Sequence, residues 1–165
     1  MGVDIRVLHA GEADVLIKVA PDVFDDPIDI RRTEEFLRDP RHHLAVALDG
    51  GVVVGFVSAV HYVHPDKPSP ELWINEIGVA QTHRSRGLAT ALLQAALEAG
   101  RKAGCGQAWV LTDRANIPAM RLYASGGGVA APSESVMFTF YLDEDSPSGT
   151  RPSGTTPSGT KTEQK

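Results

Sequence analysis

The chain has a single cysteine, no apolar run of membrane-spanning length and no excess of positive charge, and each shortage closes off a class of function. One thiol, Cys105, cannot form an internal disulfide and leaves no cysteine cluster for zinc, which fits a reducing cytoplasm. Cys105 reads as a small residue in a glycine-rich turn. Without a long apolar run no transmembrane helix is expected, and Met1 to His9 alternate like a strand instead of forming a signal peptide. A formal net charge of −5 provides no basic face for phosphates, so nucleic acid is not an expected partner, whereas neutral or cationic molecules are. The expectation is a soluble, cytoplasmic protein that makes no membrane contact.

What is present is enough for one core. At 165 residues and 42% hydrophobic content the chain suits a single domain, placed at residues 1–143. From Asp145 onward the sequence repeats Pro147-Ser148-Gly149-Thr150, Pro152-Ser153-Gly154-Thr155 and Pro157-Ser158-Gly159-Thr160 with no large apolar residue. Such a segment cannot bury enough surface to offset its ordering entropy, so residues 144–165 read as a flexible tail.

Within the domain, Val3 to Leu8 reads as an edge strand, and Ala13 to Ala20 and Thr33 to Arg38 as short helices around the turn-rich Asp25-Asp26-Pro27. His43 to Leu48 and Val52 to Tyr62 are apolar or β-branched runs joined by Asp49-Gly50-Gly51, a tight-hairpin signal. His64 to Pro70 holds three prolines and reads as a loop, after which Leu72 to Val79 resumes strand composition. Leu88, Leu92, Leu93, Ala96 and Leu97 mark the helix of clearest periodicity, closed by Gly104 and Gly106. Gln107 to Thr112 reads as a strand, Ile117 to Ser125 as a helix with Pro118 in its first turn, and Val136 to Leu142 as a last strand. The order is β, α, α, β, β, β, α, β, α, β.

One junction in this order carries chemistry. The strand ending at Val79 runs through Ala80-Gln81-Thr82-His83 into Arg84-Ser85-Arg86-Gly87-Leu88-Ala89 and then into the periodic helix. The first N–H groups of a helix have no partner inside it and the dipole is positive there, so a turn at this place offers donors to a phosphate. Gly87 permits close approach or a positive φ, Ala89 keeps the first turn small, and Arg84 and Arg86 can add charge. An Arg-Gly pair that merely starts a helix fits the local pattern equally well. The surroundings separate the readings, because one strand later a second helix carries Asn116 and Tyr123.

Ile77-Gly78-Val79-x-x-x-His83-Arg84-x-x-Gly87-x-Ala89 resembles the acetyl-CoA-binding motif of the GNAT superfamily of N-acetyltransferases, and Asn116-x-x-Ala119-x-x-Leu122-Tyr123-x-x-x-Gly127 is similar to its next motif. The resemblance spans roughly residues 3–142. It implies an α+β fold, a single GNAT-type domain whose mixed, mostly antiparallel sheet is flanked by helices and splayed between parallel strands 72–79 and 107–112. It further implies acetyl-CoA as co-substrate and no metal. The backbone of Ile77, Gly78 and Val79 would pair with the pantetheine arm as a peptide adds to a sheet edge, Arg84, Ser85, Arg86, Gly87, Leu88 and Ala89 would wrap the pyrophosphate, and Asn116 would hydrogen-bond the pantetheine arm.

Direct acetyl transfer needs a base for the amine, a donor for the oxyanion and an acid for the departing thiolate. Glu76 lies beside the expected pantetheine strand and two residues from Ile74, where partial desolvation would raise its pKa toward a base's working range; an ordinary paired or solvated strand carboxylate is the other reading. The family fills this role with a carboxylate or a strand-bound water. The resemblance assigns Tyr123 the acid. Gly126-Gly127-Gly128 departs from the family, which has a bulky apolar residue after its glycine. His42, His43, His61 and His64 show no metal-ligand spacing and read as surface or cleft residues.

For the acceptor, Asp22, Asp25, Asp26, Asp29, Glu34 and Glu35 crowd the early segment, and Glu71, Glu76 and Glu134 can add to it; a cleft of this sign attracts a polycation, although charge runs are also commonly solvated faces. Val23-Phe24-Asp25-Asp26-Pro27, Phe36-Leu37, His43 to Ala47, Tyr62 and Leu72 to Ile77 resemble the GNAT-type aminoglycoside 3-N-acetyltransferases. That likeness implies an aminoglycoside partner gripped by Asp25, Asp26 and Glu134, with antibiotic resistance as the consequence. A polyamine or peptide amine is the alternative acceptor, and a non-catalytic acyl-CoA sensor the alternative of another class. Val136 to Leu142 is a candidate for pairing across chains in a homodimer.

Overall fold

The computed structural model describes residues 2–132. Glu134, the strand expected at Val136 to Leu142, the domain limit at 143 and the repeat tail lie outside the described residues. Strands β1 (Asp4–Leu8), β2 (His42–Asp49), β3 (Val52–Tyr62), β4 (Glu71–Val79) and β5 (Gln107–Val110) form one sheet in the order β1-β2-β3-β4-β5. The first four are mutually antiparallel, and β5 is parallel to β4, as a crossover through an intervening helix requires. The sheet is thus mixed and mostly antiparallel. β2 and β3 meet in the two-residue turn foretold by Asp49-Gly50-Gly51: Asp49 pairs with Val52, and Gly50 and Gly51 take φ of +57° and +81°.

Helix α2 (Leu88–Lys102) buries Leu88, Leu92, Leu93 and Ala96 of the expected stripe against one face of the sheet, together with Gly100, while Leu97 is only partly buried at its margin. At its far end a Cβ on Gly100 would meet Leu72 Cδ2 at 2.9 Å, and at its near end one on Gly55 would meet Leu92 Cδ1 at 3.2 Å. Leu72, Ile74, Val57 and Ile77, which share that face by register, therefore look toward α2. Val46, Val53, Val54, Phe56, Val57, Leu72 and Leu92 are almost wholly buried and form the centre of the core.

The other face is covered by the chain between β1 and β2. Helix α1 (Ile30–Arg38) starts three residues before the Thr33 expected from sequence, because the Asp29 carboxylate caps it by accepting from the N–H of Arg31 at 2.9 Å and of Arg32 at 3.4 Å. Ala13 to Ala20 is not one helix. A 3-10 turn, Ala13–Ile17, stops where Val53 draws the chain into extended pairing: Val53 N–H donates to Lys18 O and Ala20 N–H to Val53 O, both at 2.8 Å. β4 begins to pair with β3 only at Gly55, so residues 18–20 satisfy backbone groups of β3 that β4 does not reach. The last described helix, α3 (Ile117–Ser125), has the bounds its sequence implies.

Candidate functional site

Leu72 and Ile74 point toward α2, and strict alternation would send residue 76 the same way. It does not, because the pairing slips: Ile74 opposes Ala59 but Glu76 opposes Ser58, so Asn75 is an extra residue, a β-bulge. Beyond it Ile77 takes up the α2 face, and Glu76 and Gly78 turn to the opposite one. There a Cβ on Gly78 would meet Phe56 Cε1 at 2.6 Å and the carbonyl oxygen of Val23 closer still. Phe24 stacks on Phe56 with ring centroids 3.8 Å apart, which fixes segment 22–27 over this part of β4 and brings the negative charge of Asp25 to bear on Glu76. Burial first, and the Asp25 charge second, raise the Glu76 carboxyl above its ordinary value.

The same stretch of β4 is open on its other edge. Its ladder with β5 covers Glu71 to Ile74 against Gln107 to Val110 and stops, two residues short of the 107–112 expected for β5. Among the described residues, 75–79 run on without a β5 partner, which leaves this edge of β4 outside the ladder, with Val79 O accepting from Arg84 Nε.

At the end of β4, Ala80 N–H donates to Val54 O at 2.9 Å, and a 3-10 turn, Gln81–His83, leads to the loop ahead of α2. His83 is its anchor: Nε2 meets an Asp49 carboxylate oxygen at 3.0 Å and Nδ1 meets Thr82 Oγ1 at 2.8 Å. Ser85 and Gly87 both have positive φ, +60° and +78°. For Ser85 this conformation costs roughly 1–2 kcal/mol, and such outliers concentrate at ligand clamps. Gly87 is the N-cap of α2 and supplies no side-chain cap, so the N–H groups of Leu88, Ala89 and Thr90 are left to be satisfied from outside the helix. Arg84 and Arg86 are both exposed, and Arg84 Nε donates to Val79 O at 3.1 Å. The loop therefore offers backbone donors, a helix dipole and two guanidinium groups to an anion.

On α3 the Asn116 side chain is the N-cap, its Oδ1 accepting from Ala119 N–H at 3.2 Å, which leaves the amide NH2 to donate elsewhere. Tyr123 packs on the edge of the core, and burial pushes its hydroxyl above the ordinary phenol value, so it is protonated at neutral pH. The three glycines after it each answer a local demand. A Cβ on Gly126 would meet Leu93 Cδ2 at 2.8 Å, Gly127 has φ of +88°, and a Cβ on Gly128 would meet the Tyr123 carbonyl oxygen at 2.9 Å.

The acidic residues sort themselves. Asp29 is a helix cap, Glu34 pairs with Arg38 and Glu35 with Arg32, all on the surface of α1. Asp25 and Asp26 are exposed in the segment over β4, and of that pair the structure links Asp25 with Glu76. The histidines do not converge on a metal geometry: His43 and His61 hydrogen-bond each other at 2.8 Å, His42 stacks on Phe36, and His64 meets Asp66. Among the described residues no group of three or more ligating side chains is assembled, and no helix is long and apolar enough to cross a membrane. The bulge at Asn75 and the His83–Asp49 pair were invisible in the sequence, since a bulge leaves no mark on composition and the pair joins residues 34 apart.

Comparison with known proteins agrees with this architecture. Residues 13–127 match the model of the Acetyltransferase (GNAT) family. Streptothricin acetyltransferase of Streptomyces lavendulae is 32% identical over 100 residues, 61% of this chain and 50% of that protein. N-acetyltransferase 8 of Rattus norvegicus is 30% identical over 95 residues, 58% of this chain and 43% of that protein, so the chain spans about half the length of the curated relatives it matches. A crystal structure of an aminoglycoside acetyltransferase from an uncultured soil metagenomic sample superposes with a TM-score of 0.73 at 25% identity, covering 87% of this chain and all of that one. With the splayed β4/β5 pair, the bulge before Glu76 and the uncapped start of α2 in place, this chain belongs to the GNAT acetyltransferase family.

Proposed function

We propose that the protein transfers the acetyl group of acetyl-CoA to a primary amine of an aminoglycoside antibiotic, and so confers resistance to it. The observation that carries the reading is the bulge at Asn75, which turns Glu76 away from α2 to the face where segment 22–27 lies and the Asp25 charge acts on its carboxyl, beside the half of β4 that β5 does not pair. In this reading the backbone of Ile77, Gly78 and Val79 pairs with the pantetheine arm, and Asn116 donates its amide to it. The α2 N–H groups, with Arg84, Ser85, Arg86, Gly87, Leu88 and Ala89, hold the pyrophosphate.

The acceptor arrives as a polycation drawn by Asp25 and Asp26. Glu76, whose proton affinity is raised first by burial and then by the Asp25 charge, takes a proton from the reacting ammonium as the general base. The amine then attacks the thioester carbonyl, unpaired β4 backbone N–H groups face the developing oxyanion, and Tyr123 gives its proton to the departing thiolate. The desolvated hydroxyl of Tyr123 is in the correct protonation state for that step.

An acceptor panel assayed by thiol release tests the proposal. Turnover with aminoglycosides, and an acceptor KM raised by Asp25→Asn combined with Asp26→Asn, is the expected result. Turnover confined to polyamines or peptide amines would replace the substrate class, and acetyl-CoA binding with no thiol release for any acceptor would favour a sensor.

A further inference from the structure

The face of the sheet that carries Glu76 also carries an aromatic and acidic group further along β4. Trp73 and Trp109 pair directly across the parallel β4/β5 ladder, and their rings stack with centroids 5.5 Å apart and planes inclined by 8°. Both are half-buried, so each keeps part of its ring surface in contact with solvent. Beside them Trp109 Nε1 donates to Tyr62 Oη at 2.8 Å, and Tyr62 Oη donates to Glu71 Oε2 at 2.9 Å. A single phenol thus ties a tryptophan to a carboxylate and fixes both. One oxygen of that carboxylate is held, and Glu71 Oε1 remains an acceptor for a charged donor.

Register puts this group and the reacting end on one face. Tyr62 opposes Glu71, Val60 opposes Trp73, Ser58 opposes Glu76 and Phe56 opposes Gly78, all on the side away from α2. From Glu71 to Glu76 the strand advances about 15 Å, which exceeds one sugar ring and suits two or three linked rings. A tryptophan face attracts both the C–H edges of a saturated ring and an ammonium group carried on it, and a fixed carboxylate beside it adds a charge-assisted hydrogen bond.

We propose that Trp73, Trp109 and Glu71, with Tyr62 orienting the last two, form a second acceptor subsite. It takes a distal amino-sugar ring while the proximal amine reacts at Glu76. This rests on the acceptor class argued above, and it makes chain length in the acceptor a determinant of KM. Tyr62 is a positioning residue, because it acts through Glu71 and Trp109.

The test compares a single-ring amino sugar, glucosamine, with a three-ring aminoglycoside, gentamicin, in wild type, Glu71→Gln and Trp109→Phe, with melting temperatures to confirm folding. The expected result is a gentamicin KM raised about tenfold at nearly constant kcat, with glucosamine kinetics unchanged. Unaltered gentamicin KM in folded Glu71→Gln, or an equal loss for glucosamine, would overturn the subsite. Should wild type acetylate neither compound, titrating its tryptophan fluorescence with gentamicin alone decides the matter separately. Saturable quenching weakened by Glu71→Gln upholds the subsite, and quenching that is absent or indifferent to Glu71→Gln overturns it.

Discussion

The carbonyl oxygen of Val23 occupies the place where a side chain on Gly78 would begin. This contact seats the segment ahead of α1 on β4 and carries Asp25 to Glu76. Gly78→Ala should therefore displace segment 22–27 as well as strain the Phe56 ring, costing about 1–3 kcal/mol by the usual penalty for overpacking. Denaturant unfolding measures the loss, and the acceptor KM should rise with it. A variant as stable as wild type would show that the segment yields freely.

Glu76 gives a signed pH dependence. Its folded pKa lies above the ordinary value, so the fold holds the carboxyl proton more tightly than the unfolded chain does; that stabilisation is complete below the ordinary value of 4.5 and is lost as pH rises through the raised value. Glu76→Gln should thus be more stable than wild type at pH 8 and equal to it at pH 4 in thermal melts. In activity the acid limb of kcat/KM should follow Glu76, and Asp25→Asn should shift it to lower pH without restoring the ordinary value, since burial is the larger cause.

Tyr123→Phe removes one hydroxyl from a site at the core edge and leaves the ring packing in place. Turnover should fall by about a hundredfold or more if the hydroxyl is the general acid. Acetyl-CoA affinity, measured by calorimetry, should stay within a factor of about two of wild type. Unchanged kcat would remove Tyr123 from the reaction.

At Gly87 two penalties coincide in one substitution. Gly87→Glu forces a side chain into a φ of +78° and places a negative charge at the uncapped start of α2. Coenzyme A binding should be lost while the fold survives, because a Cβ at this position meets nothing within 4 Å. Normal coenzyme A affinity in this variant would move the pyrophosphate site elsewhere.

How much of this could be read in advance depended on how local the cause was. The Asp49-Gly50-Gly51 turn, the apolar stripe of α2 and the bounds of α3 each follow from residues within a few positions of one another, and sequence periodicity located them. Asp29 as a helix cap was equally local, yet it was counted among the acceptor residues because charge alone does not distinguish a cap from a ligand.

By itself the sequence determined the family, the five described strands with helices α2 and α3, and the positive-φ turn at Gly87 ahead of α2, since each depends on neighbours along the chain. The helix expected over Ala13 to Ala20, by contrast, gave way to a 3-10 turn because Val53, distant in the chain, draws residues 18–20 into pairing. Tertiary structure alone decided which way Glu76 faces. A one-residue slip against β3 inverts the alternation of β4, and that slip arises from how two strands fit together, with no signature in either. The docking of Val23 on Gly78, the coupling of Asp25 to Glu76 and the alignment of Trp73 with Trp109 follow from the same cause: each joins residues far apart in the chain that only the packed sheet brings face to face.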